Sequence, residues 1–232
     1  MIKILYEDKH IISFIKPVGV LSAPTDTEKD SIISHLQDEN SYDSLFLVHR
    51  LDRNVSGVML MAKTKAAAGK FSALVAERNF EKEYLAIVHG KPDEECGIYK
   101  DLLFKDSSSN KTYVTDRERK GVKNASLEYR VLGSYESEDG VLSLVRIKLH
   151  TGRTHQIRAQ FSHRKTPLFG DGKYGSHTNC GFIALFSARV KFFHPLRRNT
   201  AVDIHELPDK DLYPWNLFAE KLCDNIFDTD VL

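Results

Sequence analysis

The chain has 232 residues, 41% hydrophobic and 28% charged, enough to bury a substantial core and typical of a globular protein. It contains no apolar run of the ~18 residues that would span a bilayer, and Met1 to His10 is too short and too charged for a secretory signal, so a cytoplasmic address is the default expectation. Its three cysteines, Cys96, Cys180 and Cys223, are odd in number and widely spaced, so neither a disulfide framework nor a CxxC zinc site can be read from them, and they read as reduced, structural thiols.

The net charge of +1 hides an uneven distribution. From Arg146 to Arg198 eleven Lys or Arg face the single acid Asp171, a surplus of +10. From Asn199 to Leu232 eight acids face only Lys210 and Lys221, a balance of −6. A basic binding face with an acidic flank would produce this pattern, because phosphates are held largely by Lys and Arg; a solvated mixed surface would produce it equally.

In chain order, Ile2 to Tyr6 and Ile11 to Ile15 are apolar and β-branched and predict a hairpin turning at Glu7 to Lys9. Lys16-Pro17-Val18-Gly19 breaks the second strand, and Ser31 to Gln37 has helical spacing. Leu45 to Val48 and Val58 to Ala62 are apolar strands bracketing a loop from His49 to Gly57. Lys65 to Arg78 is Ala-rich, with Ala67, Phe71, Leu74, Val75 and Arg78 at helical spacing, and predicts an amphipathic helix. Tyr84 to Val88 alternates as a strand.

Lys105 to Asn124 is polar and reads as an exposed loop or an irregular hairpin. Ala125 to Tyr135 and Val141 to His150 predict a long hairpin around Glu136 to Gly140, followed by a short helix near His155 to His163. Phe182 to Phe193 and Ala201 to Glu206 supply two more strands, and Pro214 to Phe227 an amphipathic closing helix. Many strands without regular strand–helix alternation argue for an α+β fold: a mixed, mainly antiparallel sheet with flanking helices, in one domain over 1–232, its acidic helical extension starting near residue 207. No GxGxxG or GxxxxGKS segment supports a nucleotide cofactor.

The most unusual segment is His49-Arg50-Leu51-Asp52-Arg53-Asn54-Val55-Ser56-Gly57, which sets one carboxylate between two guanidinium groups. Neighbouring cations favour the ionised acid against any desolvation, so Asp52 is a candidate nucleophile or base; a surface salt bridge or a turn cap is the structural alternative. Thr151-Gly152-Arg153-Thr154-His155-Gln156-Ile157-Arg158 follows a strand and opens a helix, where amides and two arginines suit an anion, whether in an enzyme or in a non-catalytic nucleic-acid module. Tyr84 reads as a core tyrosine by pattern alone. His150, His155 and His163 lack the HExxH or HxE…CxxC context that a catalytic metal or a zinc deaminase would need, and no metal is expected.

Six segments together resemble the RluA family of RNA pseudouridine synthases: KPVG (16–19), HRLDRNVSG (49–57), KEYLAIVHG (82–90), TGRTHQIR (151–158), PLFGDGKYG (167–175) and FFHP (192–195). HRLDR with SG, in the same chain as GRTHQIR, is the specific pair. The resemblance implies a mixed sheet around a central cleft floored by the HRLDR loop. It implies Asp52 as the essential carboxylate, Arg153 as its ion-pair partner, Tyr84 stacking on the target base, and Arg50 filling the gap left by a flipped uridine. Lys16, Arg53, His155, Gln156 and Arg158 complete the expected RNA-binding set. The implied reaction detaches uracil from C1′ of a uridine in structured rRNA or tRNA, turns it and reattaches it through C5, without cofactor or metal.

RNA is the implied partner, with no DNA or membrane, and a monomer is the expected state. The pattern begins almost at Met1, so no amino-terminal S4 domain is expected and target choice falls to the catalytic domain or a partner. Val55, Ala159-Gln160, Arg164-Lys165-Thr166 and Phe186 depart from the family pattern and leave the RNA contacts open. An RNA-binding or ribosome-assembly factor without catalysis, and a phosphate-binding small-molecule enzyme, are the rival readings.

Overall fold

The computed structural model describes residues 1–227 apart from Ser41 and Arg78. In chain order its elements are β1 (Ile4–Glu7), β2 (Ile11–Lys16), α1 (Ile32–Asn40), β3 (Phe46–Leu47), β4 (Ser56–Ala62), α2 (Lys65–Ala76), β5 (Phe80–His89), β6 (Cys96–Asp106), β7 (Lys111–Thr115), β8 (Val122–Ser137), β9 (Gly140–Leu149), α3 (Gln156–His163), β10 (Leu185–Phe193) and β11 (Ala201–His205). The chain divides into two compact units, Met1–Lys82 with Phe186–Glu206, and Glu83–Leu185 with Leu207–Leu232. Among the described residues no helix is long and apolar enough to cross a membrane.

In the first unit β2 and β4 pair antiparallel from Ile11↔Ala62 to Lys16↔Gly57. Both are covered on both faces, which is why they read as unbroken apolar runs rather than alternating ones. β4 also takes β10 in parallel at Ser56 and Gly57, and β11 extends β10 antiparallel. Thr64 caps α2, its hydroxyl accepting from Ala67 N at 3.3 Å, and the helix turns Ala67 and Phe71 onto Val58, Leu60, Phe80, Val190 and Phe192. Phe71 and Phe192 meet with ring centres 5.2 Å apart. The helix ends at Ala76; Arg78, expected on its face, lies outside the described residues.

In the second unit β5, β9, β8, β6 and β7 form an antiparallel order. The α+β class and the mainly antiparallel pairing agree with expectation. Two elements do not. The stretch 96–106, for which no strand was expected, is β6, paired with β8 over nine residues from Cys96↔Arg130 to Phe104↔Val122. Its sequence CGIYKDLLFKD carries no clean alternation, so its partner, not its own pattern, makes it a strand. The polar stretch after Lys105 is then the β6–β7 hairpin, its turn tied by Asp106 carboxylate bonds to Ser108 N (2.9 Å) and Ser109 Oγ (2.8 Å).

The expected closing helix over Pro214–Phe227 is instead two short 3₁₀ helices, Trp215–Phe218 and Asp224–Phe227. Trp215, Phe218, Leu222 and Ile226 are buried, so the periodicity reported burial correctly. The helical turns are interrupted between Phe218 and Asp224, and Arg146 Nη1 donates to Ile226 O at 2.8 Å, tying the last turn to β9. Asp228 and Asp230, part of the acidic tail, lie outside the described residues. All three cysteines are free and exposed, which corrects their reading as structural thiols.

Candidate active site

In the first unit the Asp52 loop hangs between two buried apolar anchors, Leu51 (4% exposed) and Val55 (2%). Ser22 fastens its start, donating from Oγ to Leu51 O at 2.7 Å and accepting from Leu51 N at 3.0 Å. The loop turns on a bond from Val55 N to Asp52 O of 3.1 Å. Its far side is tied to the KPVG segment: Gly19 N donates to Arg53 O at 2.9 Å, and Arg53 Nε donates back to Gly19 O at 2.8 Å. Asp52 itself is partly exposed.

Lys16 is entirely buried, and its Nζ donates to Pro17 O (2.7 Å), Val20 O (2.8 Å) and Arg53 O (3.3 Å). Burial pushes its pKa down to about 8, opposed by the charge of Asp52 and reinforced by that of Arg53. Lys16 is therefore an internal strut between two loops, which corrects its reading as a direct RNA contact. Arg53 remains exposed, yet its guanidinium is engaged with Gly19 O and with Glu28 at 2.9 Å. Arg50 is exposed.

Two neighbours of Asp52 that sequence reasoning left without a role hold the loop ends. His49 Nε2 accepts from Leu60 N at 3.0 Å, and burial, with a smaller effect of Lys82, pushes its pKa down to about 3. The ring is thus neutral, with its proton on Nδ1, assigned from that bond. Gly57 sits at φ +123°, and a Cβ there would lie 2.3 Å from Ser187 O, so only glycine lets β4 meet β10 at the loop's end.

In the second unit Gln156 (3% exposed) organises the Thr151–Arg158 segment. Its Oε1 accepts from Thr151 Oγ1 (2.8 Å) and Arg153 N (3.1 Å), and its Nε2 donates to Ser126 O (3.1 Å). Arg153 is exposed, with Nε donating to Asn124 O at 3.0 Å. His155 stands at φ +51° ahead of α3, its Nδ1 3.0 Å from Tyr174 Oη. Tyr174 Oη already accepts from Thr112 N at 2.7 Å, so it is placed to donate its own proton to His155. Tyr84 lies on β5 opposite Ile147 and is 5% exposed.

Arg158 differs from its expected role. It is 6% exposed and forms a two-pronged ion pair with Asp171, Nε to Oδ2 at 2.7 Å and Nη2 to Oδ1 at 2.8 Å. Such a guanidinium builds the fold and does not face phosphate at the surface. Gln156, likewise expected to touch RNA, is an internal brace. The first unit thus brings together Lys16, Asp52 and Arg53, and the second Arg153, His155 and Gln156. Tyr174 and Asp171 were visible only as members of the PLFGDGKYG segment, and Ser22 and Thr112 had no sequence signal, because their partners are distant in the chain. His150 lies 3.4 Å from Glu128 and His155 bonds Tyr174, and among the described residues no three His, Cys, Asp or Glu side chains are grouped as metal ligands would be.

Comparison with known proteins gives these loops a family. The model of the RNA pseudouridylate synthase family matches residues 10–163. An uncharacterized RNA pseudouridine synthase of Aquifex aeolicus is 30% identical over 92% of this chain and 72% of its own length. Ribosomal large subunit pseudouridine synthase C of Buchnera aphidicola is 33% identical over 84% of this chain, which spans 64% of that protein, under two thirds. The solved structure of human RNA pseudouridylate synthase domain containing 1 shares the fold, with a TM-score of 0.76, 23% identity, and coverage of 93% of this chain and 86% of that one. By the family match over most of its length and by these relatives, the chain belongs to the RNA pseudouridylate synthase family.

Proposed function

We propose that the protein isomerises a uridine in structured rRNA or tRNA to pseudouridine. The observation that carries this reading is a partly exposed carboxylate, Asp52, on a loop fixed at both ends by buried residues and underpinned by a buried ammonium. Such a group is already oriented before substrate arrives, as electrostatic and nucleophilic catalysis both require. The name of the Buchnera relative favours large-subunit rRNA among the candidate substrates.

In the proposed reaction the C1′–N1 bond breaks with help from the Asp52 carboxylate. The freed uracil turns while stacked on Tyr84, and C1′ bonds to C5. The C5 proton is lost and N1 gains one, so the product is an isomer and no co-reactant is consumed. Arg153 serves as the ion-pair partner of Asp52, and Arg50 occupies the space vacated by the everted nucleotide, whose eversion costs a few kcal/mol of stacking and pairing. The reading requires Asp52 of the first unit and Tyr84 and Arg153 of the second to act on one nucleotide.

Asp52→Asn is expected to abolish pseudouridine formation while RNA binding, read by fluorescence anisotropy, persists; turnover in this variant would remove Asp52 from the mechanism. Tyr84→Phe keeps a ring to stack on the base, so slower single-turnover rates would assign a proton transfer to the hydroxyl, and unchanged rates would confine Tyr84 to stacking. Mapping pseudouridine in cellular RNA with and without the gene names the uridine. An unchanged map would favour a non-catalytic RNA-binding factor.

A further inference from the structure

At one end of the first unit, Asp8 ties together two hairpin turns that lie far apart in sequence. Its Oδ1 accepts from His10 N (2.7 Å) and Ile11 N (2.9 Å), and its Oδ2 from Tyr6 Oη (3.2 Å) and His194 Nε2 (3.0 Å), with Arg197 Nη2 also 3.0 Å away. Leu196 N donates to His194 Nδ1 at 3.2 Å, so the proton facing Asp8 sits on Nε2 and the imidazole need not be charged. The His194 side chain is fully buried, and that of Asp8 is 8% exposed.

What this lock presents to solvent is an aromatic ring among cations. Phe193 is 61% exposed and Leu196 38%, at the turn that also carries the exposed Arg198 and the half-exposed Arg197, while the exposed Lys9 follows Asp8 in the turn tied to it. Counting Arg189, Lys191 and Asp203 on the adjoining strands, five cations face two carboxylates, Asp8 and Asp203. A single exposed Phe is ordinary on any surface. Here, however, a buried His194–Asp8 pair, joined by the half-exposed Arg197, fixes the turn that carries it, so the backbone presenting the ring is ordered before any partner binds. The tip lies six residues along β10 beyond Ser187, which pairs with Gly57 at the end of the Asp52 loop, a separation of about 20 Å at strand rise.

We infer that this β10–β11 tip is a second RNA contact, at which an unpaired base flanking the modified stem stacks on Phe193 while Lys9 and Arg198 hold its phosphates. The inference rests on the proposed RNA-modifying function. About 20 Å along β10 from the Gly57 end of the Asp52 loop, the tip reads flanking nucleotides, not the uridine that reacts.

The test uses the full chain and two labelled RNAs: a uridine-bearing stem–loop alone, and the same stem–loop with unpaired flanks of about 15 nucleotides, enough to fill a single-strand site. Phe193→Ala is expected to weaken binding of the flanked RNA at least about fivefold, from lost stacking, and to leave the bare stem–loop unchanged. Arg198→Glu is expected to flatten the log–log salt dependence for the flanked RNA by about 0.7 per lost phosphate contact. Wild-type affinity of both variants for the flanked RNA, or an equal loss on both RNAs, would overturn the inference. So would self-association or vesicle binding that Phe193→Ala abolishes while RNA affinity is unchanged. Pseudouridine formation on the bare stem–loop, measured alongside, separates failure of this contact from failure of the proposed activity.

Discussion

The Asp52 loop and the Arg153 loop are both short, both partly open to solvent, and fastened in different ways. Around Asp52 the gripping groups hold main chain: Lys16 Nζ takes three carbonyls, Ser22 holds both polar atoms of Leu51, and Gly19 pairs with Arg53. Around Arg153 bonds between side chains join the main-chain ones: Gln156 holds Arg153 N and Ser126 O but also Thr151 Oγ1, Tyr174 meets His155, and the Arg158–Asp171 pair adds a further side-chain link. A main-chain grip tolerates change in the exposed side chains but depends on the gripping atom. A side-chain grip depends on every member being present.

That contrast breaks most visibly at Asp171. Asp171→Asn leaves the buried Arg158 guanidinium without its counter-charge and is expected to lower unfolding free energy by about 3–5 kcal/mol, whereas a paired Arg158→Met/Asp171→Leu replacement recovers most of the loss. Denaturant titration checks both, and a single variant as stable as wild type would show that the pair contributes little. Next in size, Ser22→Ala and Gln156→Ala each strand buried polar groups and are expected to cost about 1–3 kcal/mol. Their kinetics should diverge: slower catalysis with RNA affinity unchanged for Ser22→Ala, and weaker RNA affinity for Gln156→Ala, which frees the Arg153 amide. Equal effects on both parameters would erase the distinction between the loops.

The lysine grip adds a pH signature, which is read as a slope and not as a loss at one pH. Lys16 titrates near 8 in the folded protein against 10.5 as an ordinary lysine, so between those values the unfolded chain holds a proton that the native state has released. This group's contribution therefore makes stability rise with pH from about 8 to 10.5. His49 acts at the other end: its folded pKa of about 3 against 6.5 gives stability that is complete above 6.5 and lost as pH falls toward 3. Lys16→Met and His49→Gln should each flatten one limb of the stability profile, and a variant retaining its limb would assign that limb to another group.

The strands of the first unit and the loop carrying Asp52 were legible because each element states its own environment: β2 and β4 are apolar on both faces, and HRLDR crowds charge between them. The strand β6 was not legible, because its residues are ordinary and its partner β8 makes the decision. Lys16, at the end of β2, and Gln156 and Arg158, on α3, were picked out from the sequence as facing RNA, yet they point inward. A charged or amide residue beside a site looks the same in sequence whether it points outward to phosphate or inward to a carbonyl. Only the burial of its polar atoms separates the two, and that depends on how the chain folds back around it, as where Arg53 O meets Lys16 and Ser126 O meets Gln156.

The close approach at Gly57 also bears on the order of assembly during translation. β4 gains its parallel neighbour only when Ser187 has been synthesised, 130 positions after its partner, while most of the other unit is contiguous in the nascent chain. The Asp52 loop therefore receives its local braces from residues 16–22 early, but the parallel brace at its far end only after residue 187 has been synthesised, long after the loop itself.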